Sequence, residues 1–289
     1  MTERSPAGLR HRLAAEMVQL RGKRTLKWLV EQTGVSETTI RRVEKARGHR
    51  PNRSNMLALL KALDAPAGKR AYIMSLWEGA GSEGFTAEYP NLREPYRVYV
   101  ENERVARGLR NYQSLFIPGL MQTEPYARAV IGELWPDAKP ADVQEHVKVR
   151  LNRQALLTKD DPLHLDVVVD EAALRRCVGG PMVMAEQLRR LQALAELPHV
   201  SLQVIPFSVG VHGGMHGNFA ILSFDDADHA EFVYIEQMGK DQFLHNKPDV
   251  NRYTSTFENL RKEKALSPDA SLSLIDSVER ELTAQGETR

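Results

Sequence analysis

Glu37, Thr38, Thr39, Arg41, Arg42 and Lys45 crowd one short stretch of the chain, and their groups suit the reading of nucleic-acid bases. An arginine fork bonds the two acceptors on a guanine edge. Threonine bonds either base type or packs on a thymine methyl, and a carboxylate accepts from a cytosine amine. Thr38, Arg41 and Arg42 are the leading base readers, with Glu37 and Thr39 on the flanks. The Glu37 charge would equally favour a helix N-terminus.

Such groups work only if a helix carries them on one outward face. Leu26, Leu29 and Val30, then Ile40 and Val43, recur at the three-to-four-residue spacing of a buried helical stripe. With a step of about 100° per residue and Ile40 and Val43 turned inward, Thr38, Arg42 and Lys45 project farthest outward. Between the stripes, Gly34 can take the left-handed backbone that ends a helix, Val35 plugs the gap, and Ser36 can cap the next helix. Ser5-Pro6 opens a supporting helix striped by Leu9, Leu13, Met17 and Leu20, and a fourth helix carries Met56, Leu57, Leu60 and Leu63. Between motif and fourth helix lies a basic loop, Arg47-Gly-His-Arg-Pro-Asn-Arg53. A plain αα-hairpin with a solvated basic face is the alternative; the surrounding helices and basic loop favour a helix-turn-helix for the DNA major groove.

Residues 8 to 65 resemble the Xre/Cro-type helix-turn-helix domain of repressors. Leu26 stands where that family usually has a phosphate-anchoring Gln, and Val30 where it usually has Ala. The resemblance then implies phosphate contacts from Thr25, Lys27, Arg47, Arg50, Asn52 and Arg53, joined by Lys45, and a slightly wider helix crossing.

Charge divides along the chain. All 289 residues sum to +1, yet residues 1 to 75 hold 16 Lys and Arg against 6 Asp and Glu, hence +10, leaving −9 for the rest. A basic head on an acidic body is the electrostatic footprint of a DNA-binding domain joined to a part that does not touch DNA. The length suits two domains: residues 1–78 as the DNA-binding head, 79–95 as a linker around Gly79-Ala-Gly-Ser-Glu-Gly84, and 96–289 as a sensing or interaction domain. The single cysteine, Cys177, is expected as a small buried residue on a helix. One thiol, no apolar leader and no apolar run of membrane-spanning length point to cytoplasm and no membrane partner.

In the body, 96–109, the segment after Thr123, 140–158, 182–197 and 250–282 read as helices, the last broken near Ser267-Pro268. Four segments, 163–170, 200–207, 219–224 and 231–237, read as strands. The fold class is therefore α+β: an all-α head followed by a helix-rich domain with a small mixed β-sheet. Four runs, Phe116-Ile-Pro-Gly-Leu-Met-Gln-Thr-Glu-Pro-Tyr-Ala-Arg-Ala129, Arg150-Leu-Asn-Arg-Gln-Ala-Leu-Leu157, Val169-Asp-Glu-Ala-Ala-Leu-Arg-Arg176 and Val204-Ile-Pro-Phe-Ser208, together with the segment from Val233 to Leu260, resemble the antitoxin-like C-terminal domain, of unknown function, in actinobacterial Xre-type regulators. The resemblance implies a transcriptional regulator found beside a small partner protein, with no catalytic residues to carry over.

Nothing in the body demands catalysis. Asp170 and Glu171 read as a helix cap and a first-turn charge rather than a metal pair, and Val178-Gly-Gly-Pro181 lacks the Lys and Ser/Thr of a nucleotide loop. No metal or cofactor is expected, and the chain is read as a non-enzyme. His212-Gly-Gly-Met-His-Gly217 reads either as a turn at a ligand pocket or as a plain surface loop. The aromatics Trp77, Phe85, Tyr89, Tyr96, Tyr99, Tyr112 and Phe116 read chiefly as packing. His212, Met215, His216, Tyr96 and Tyr99 are the candidate effector or partner residues. The partners expected are double-stranded DNA, a second copy of the chain, a small protein encoded nearby and a small-molecule effector. The rival readings are an antitoxin that sequesters its neighbour and binds DNA only for autoregulation, and an enzyme gated by the head.

Overall fold

The computed structural model describes residues 6–46, 51–80, 89, 92–225, 231–237 and 240–287. The chain divides into two compact units, Met1–Pro90 with Arg97–Val105, and Asn91–Tyr96 with Ala106–Arg289.

The first unit is built from α1 (Pro6–Arg21), α2 (Leu26–Thr33), α3 (Glu37–Glu44), α4 (Arg53–Ala62) and α5 (Ala67–Gly79), with most of α6 (Glu94–Val105). Leu9, Leu13, Met17, Leu29, Val35, Ile40, Val43, Met56 and Leu60 form its core, with Leu20, Leu26, Val30 and Leu57 half-buried against them. The expected stripes are thus the packed faces. A guanidinium fork from Arg21 on Glu44, 2.5 and 3.2 Å, ties α1 to α3, and the Trp77 indole donates to the Pro51 carbonyl at 2.9 Å. α5 runs as far as Gly79.

The second unit holds a six-stranded mixed sheet ordered β3-β2-β1-β4-β5-β6. The strands are β1 (Gly108–Gln113), β2 (His164–Asp170), β3 (Val200–Ile205), β4 (Phe219–Ser223), β5 (Phe232–Ile235) and β6 (Gln242–Leu244). β1, β2 and β3 run parallel, joined by crossovers carrying α7 (Glu124–Leu134) with α8 (Pro140–Arg153), and α9 (Glu171–Arg175) with α10 (Pro181–Ala195); β4 pairs antiparallel to β1, and β5 and β6 follow, each antiparallel to the strand before it. After β6 come α11 (Lys247–Asn259), one wide helical turn over Leu260–Lys264, and α12 (Pro268–Glu287). This is the α+β class expected, with two strands more than the four read from sequence.

The missed central strand, β1, corrects the helix expected over 96–109: α6 stops at Val105, and 108–113 pairs with both β2 and β4. Its Arg110 and Asn111 break the apolar run that signals a buried strand. The outer edge of β3 is partly capped: Val204 donates to Ser271 Oγ at 3.0 Å and accepts from the Leu266 N–H at 2.8 Å, which takes its ladder groups out of reach of another strand.

The Phe116–Ala129 motif turns out to be a buried polar staple. Gln187, fully buried on α10, accepts from the Thr123 N–H at 2.7 Å and donates to the Met121 carbonyl at 2.8 Å. Gln122 donates to the Ile117 carbonyl at 2.7 Å and accepts from Arg150 at 2.9 Å. Gln187 and the motif residue Gln122 therefore satisfy backbone groups of a buried turn, as burial requires, and Arg150 of a second motif holds Gln122 in place.

His146 on α8 meets the Trp135 ring edge-on at 4.4 Å, and its Nδ1 lies 2.9 Å from the Asp142 carbonyl oxygen. Burial lowers its pKa below the ordinary 6.5. The unfolded chain then binds the proton more readily, so this contribution to stability is present above about pH 6.5 and drains away as pH falls. The urea midpoint of the second unit is expected to drop between pH 7 and 5, and His146→Gln to flatten that dependence.

Candidate nucleic-acid interface and a second cleft

Local chemistry sets the geometry of the helix-turn-helix. Thr25 caps α2, its hydroxyl accepting from the Trp28 N–H at 3.1 Å. Gly34 ends α2 at φ 68°, donating its N–H to the Val30 carbonyl at 2.8 Å; a side chain there would be strained. Ser36 caps α3 by accepting from the Thr39 N–H at 3.2 Å.

Ile40 and Val43 are buried, which leaves Glu37, Thr38, Arg41, Arg42 and Lys45 exposed, with Thr39 half-buried and its hydroxyl 2.9 Å from that of Ser36. Glu37 and Arg41 form an exposed i,i+4 pair at 2.7 Å, a contact of only a few tenths of a kcal/mol that exchanges readily for another anion. Thr38, Arg42 and Lys45 make no side-chain hydrogen bond or ion pair among the described residues.

Thr25, Lys27, Asn52 and Arg53 are exposed as well. Asn52 caps α4, accepting from the Asn55 N–H at 2.8 Å. Arg47 and Arg50 lie outside the described residues, as do Phe85 and most of the expected linker. Arg24, which the sequence reading passed over, sits 5.4 Å over the Trp28 ring beside the start of α2; its signal was a basic residue one step before a helix cap.

In the second unit, the chain leaving edge strand β3 must cross the ends of β2 and β1 to reach β4, and the 206–218 segment does so. Asp170, at the end of β2, accepts from the Ala172 N–H at 2.9 Å as the α9 cap, and its other oxygen lies 3.2 Å from His212 Nε2. Glu171 accepts from the Phe207 N–H at 2.8 Å. Gly214 lies on Tyr112 of β1 so closely that a Cβ would come within 2.3 Å of the ring. The expected cap at Asp170 is therefore formed, and both carboxylates also anchor the 206–218 segment.

The Tyr112 hydroxyl is buried without a hydrogen-bond partner among the described residues, and burial together with the charge of Asp170 drives its pKa far up. An unmade buried hydrogen bond costs about 1–3 kcal/mol. Tyr112→Phe is therefore expected to raise the urea midpoint of the second unit.

The candidate effector residues do not share one role. His212 is buried as a loop anchor, while Met215, 60 % exposed, and His216 stand at the surface. Tyr96 accepts from Arg153 at 2.5 Å, whereas Tyr99 belongs to the first unit and donates to Glu103 at 2.7 Å. His216 instead joins a cleft of about 440 Å³ whose other walls come from Phe219, the β5–β6 hairpin and α11. Gln237, Gln242, Arg252 and Tyr253 of this cleft were missed because they are scattered in sequence and carry no motif. Cys177 is exposed in the turn after α9 rather than buried on a helix, since α9 ends at Arg175 and the chain turns through Gly179 and Gly180, both at positive φ.

Residues 9–73 match a helix-turn-helix domain, and residues 96–277, well over half of the chain, match a domain of unknown function (DUF5753). No curated protein and no solved structure matches the chain. The first unit thus carries a helix-turn-helix domain, which marks a DNA-binding regulator. No helix among the described residues is long and apolar enough to cross a membrane.

Proposed function

This chain belongs to the DUF5753 family, and from its helix-turn-helix head we propose that it is a sequence-specific, non-enzymatic transcriptional regulator of the Xre/Cro kind, working in the cytoplasm. The reading rests above all on α3: a capped helix held by Ile40 and Val43 that leaves Thr38, Arg42 and Lys45 exposed and without side-chain partners among the described residues. Thr38, Arg41 and Arg42 read bases, with Glu37 and Thr39 beside them. Thr25, Lys27, Lys45, Asn52 and Arg53, with Arg47 and Arg50, hold phosphates; contacts of that kind position the protein without specifying sequence. Residues 96–289 dimerise the chain and bind an effector or a small partner protein.

A homodimer reading a pseudo-palindrome places two half-sites about 34 Å apart, one helical turn. Selection of random duplexes by the full chain is expected to enrich such a two-part site. Enrichment of no sequence over background would overturn the reading.

A second reading, an antitoxin-like protein whose main task is sequestration, is favoured by Phe207, Val211 and Met215, which are 57, 83 and 60 % exposed on the 206–217 segment. Apolar side chains clustered on a loop anchored by Asp170 and Glu171 suit a protein partner. Co-purification with the genomic neighbour, with and without residues 1–80, separates the two: retention by the truncated chain together with loss of operator binding in the complex favours sequestration.

A further inference from the structure

We infer that the cleft between the 213–218 loop and α11 binds a small flat molecule bearing one carboxylate. The inference rests on the effector half of the proposed function and is independent of DNA contact. Its volume, about 440 Å³, suits a ligand of drug-like size or smaller. Phe219 and Tyr253 form an aromatic wall, their rings 5.0 Å apart at 67°. Phe219 is buried in the sheet core, so that wall is rigid before any ligand arrives.

Charge selects the other end of the ligand. Asp249 and Arg252 both line the cleft from α11, three residues apart, yet they form no ion pair. Asp249 is taken up in a reciprocal cap: its N–H donates to Asn246 Oδ1 at 3.0 Å, and the Asn246 amide donates to its carboxylate at 2.5 Å. The Arg252 side chain makes no hydrogen bond or ion pair among the described residues, and the His216 imidazole lines the same cleft from the loop. An unpaired guanidinium presents a fork matched to a carboxylate. A phosphate dianion fits less well, because the Asp249 carboxylate shares the lining.

The test is fluorine NMR titration of the full chain with para-fluorobenzoate, para-fluorobenzamide and para-fluorophenyl phosphate, which share a ring and differ in charge. The benzoate is expected to bind saturably and at least tenfold more tightly than the amide. Arg252→Ala removes that preference and Arg252→Lys keeps part of it, with circular dichroism unchanged in both. Equal binding of acid and amide, equal binding by wild type and Arg252→Ala, tighter binding of the phosphate, or binding of none of the three would overturn the assignment. Operator affinity of ligand-free Arg252→Ala, measured in parallel, is expected to equal that of wild type, so failure of the cleft and failure of the regulator reading register separately.

Discussion

Arg42→Ala is expected to weaken binding to a selected operator by about 1–3 kcal/mol, up to roughly two orders of magnitude, and to relax sequence preference at one base pair. The direction follows from the geometry of α3. Arg42 is exposed and has no side-chain partner among the described residues, so none of these must release it before it reaches a base. Arg41 already holds Glu37 at 2.7 Å, and its alanine variant is expected to lose less, because the free protein also loses a contact. Both variants should unfold like wild type, since neither side chain enters the core. Competition binding against single-base operator variants separates base reading from phosphate contact. A loss spread evenly over all sequences, with a salt slope reduced by about one, would place Arg42 on a phosphate instead.

Gln187→Leu is expected to destabilise the second unit by roughly 2–4 kcal/mol, a large share of a typical domain's stability. Leucine fills a similar volume but leaves the Thr123 N–H and the Met121 carbonyl without the bonds that Gln187 makes at 2.7 and 2.8 Å. Each orphaned buried group forfeits its solvation with nothing in return. Urea unfolding followed by circular dichroism reads the loss directly. An unchanged midpoint would mean that water reaches the turn and that the staple is not structural.

The head was legible because each of its signals is local. Gly34, Ser36 and the Ile40–Val43 stripe lie within ten residues, and a capping hydroxyl, a left-handed glycine and a helical period are properties of neighbours in sequence. The body was legible only where its strands read as apolar runs. β2, β3, β4 and β5 fell inside the expected segments, whereas β1 was hidden by Arg110 and Asn111, and β6, with three residues, is too short for a period to show. Asp170 was read correctly as a cap from one position of context, and the structure adds that it also anchors His212 across 42 residues. That second role depends on strand order, which the sequence does not display. The cleft was illegible for the same reason: His216, Gln242 and Arg252 meet only once β4, β5 and β6 have paired.

The central claim is that α3 lies against bases. The most direct measurement places a photocrosslinking side chain at Thr38 of the full chain, and another at exposed Lys61 on α4, each bound to the selected operator. The account predicts that Thr38 crosslinks to a base within each half-site, while Lys61 yields no base adduct. Crosslinking from Lys61 alone, or from Thr38 only to a second protein chain, would contradict it.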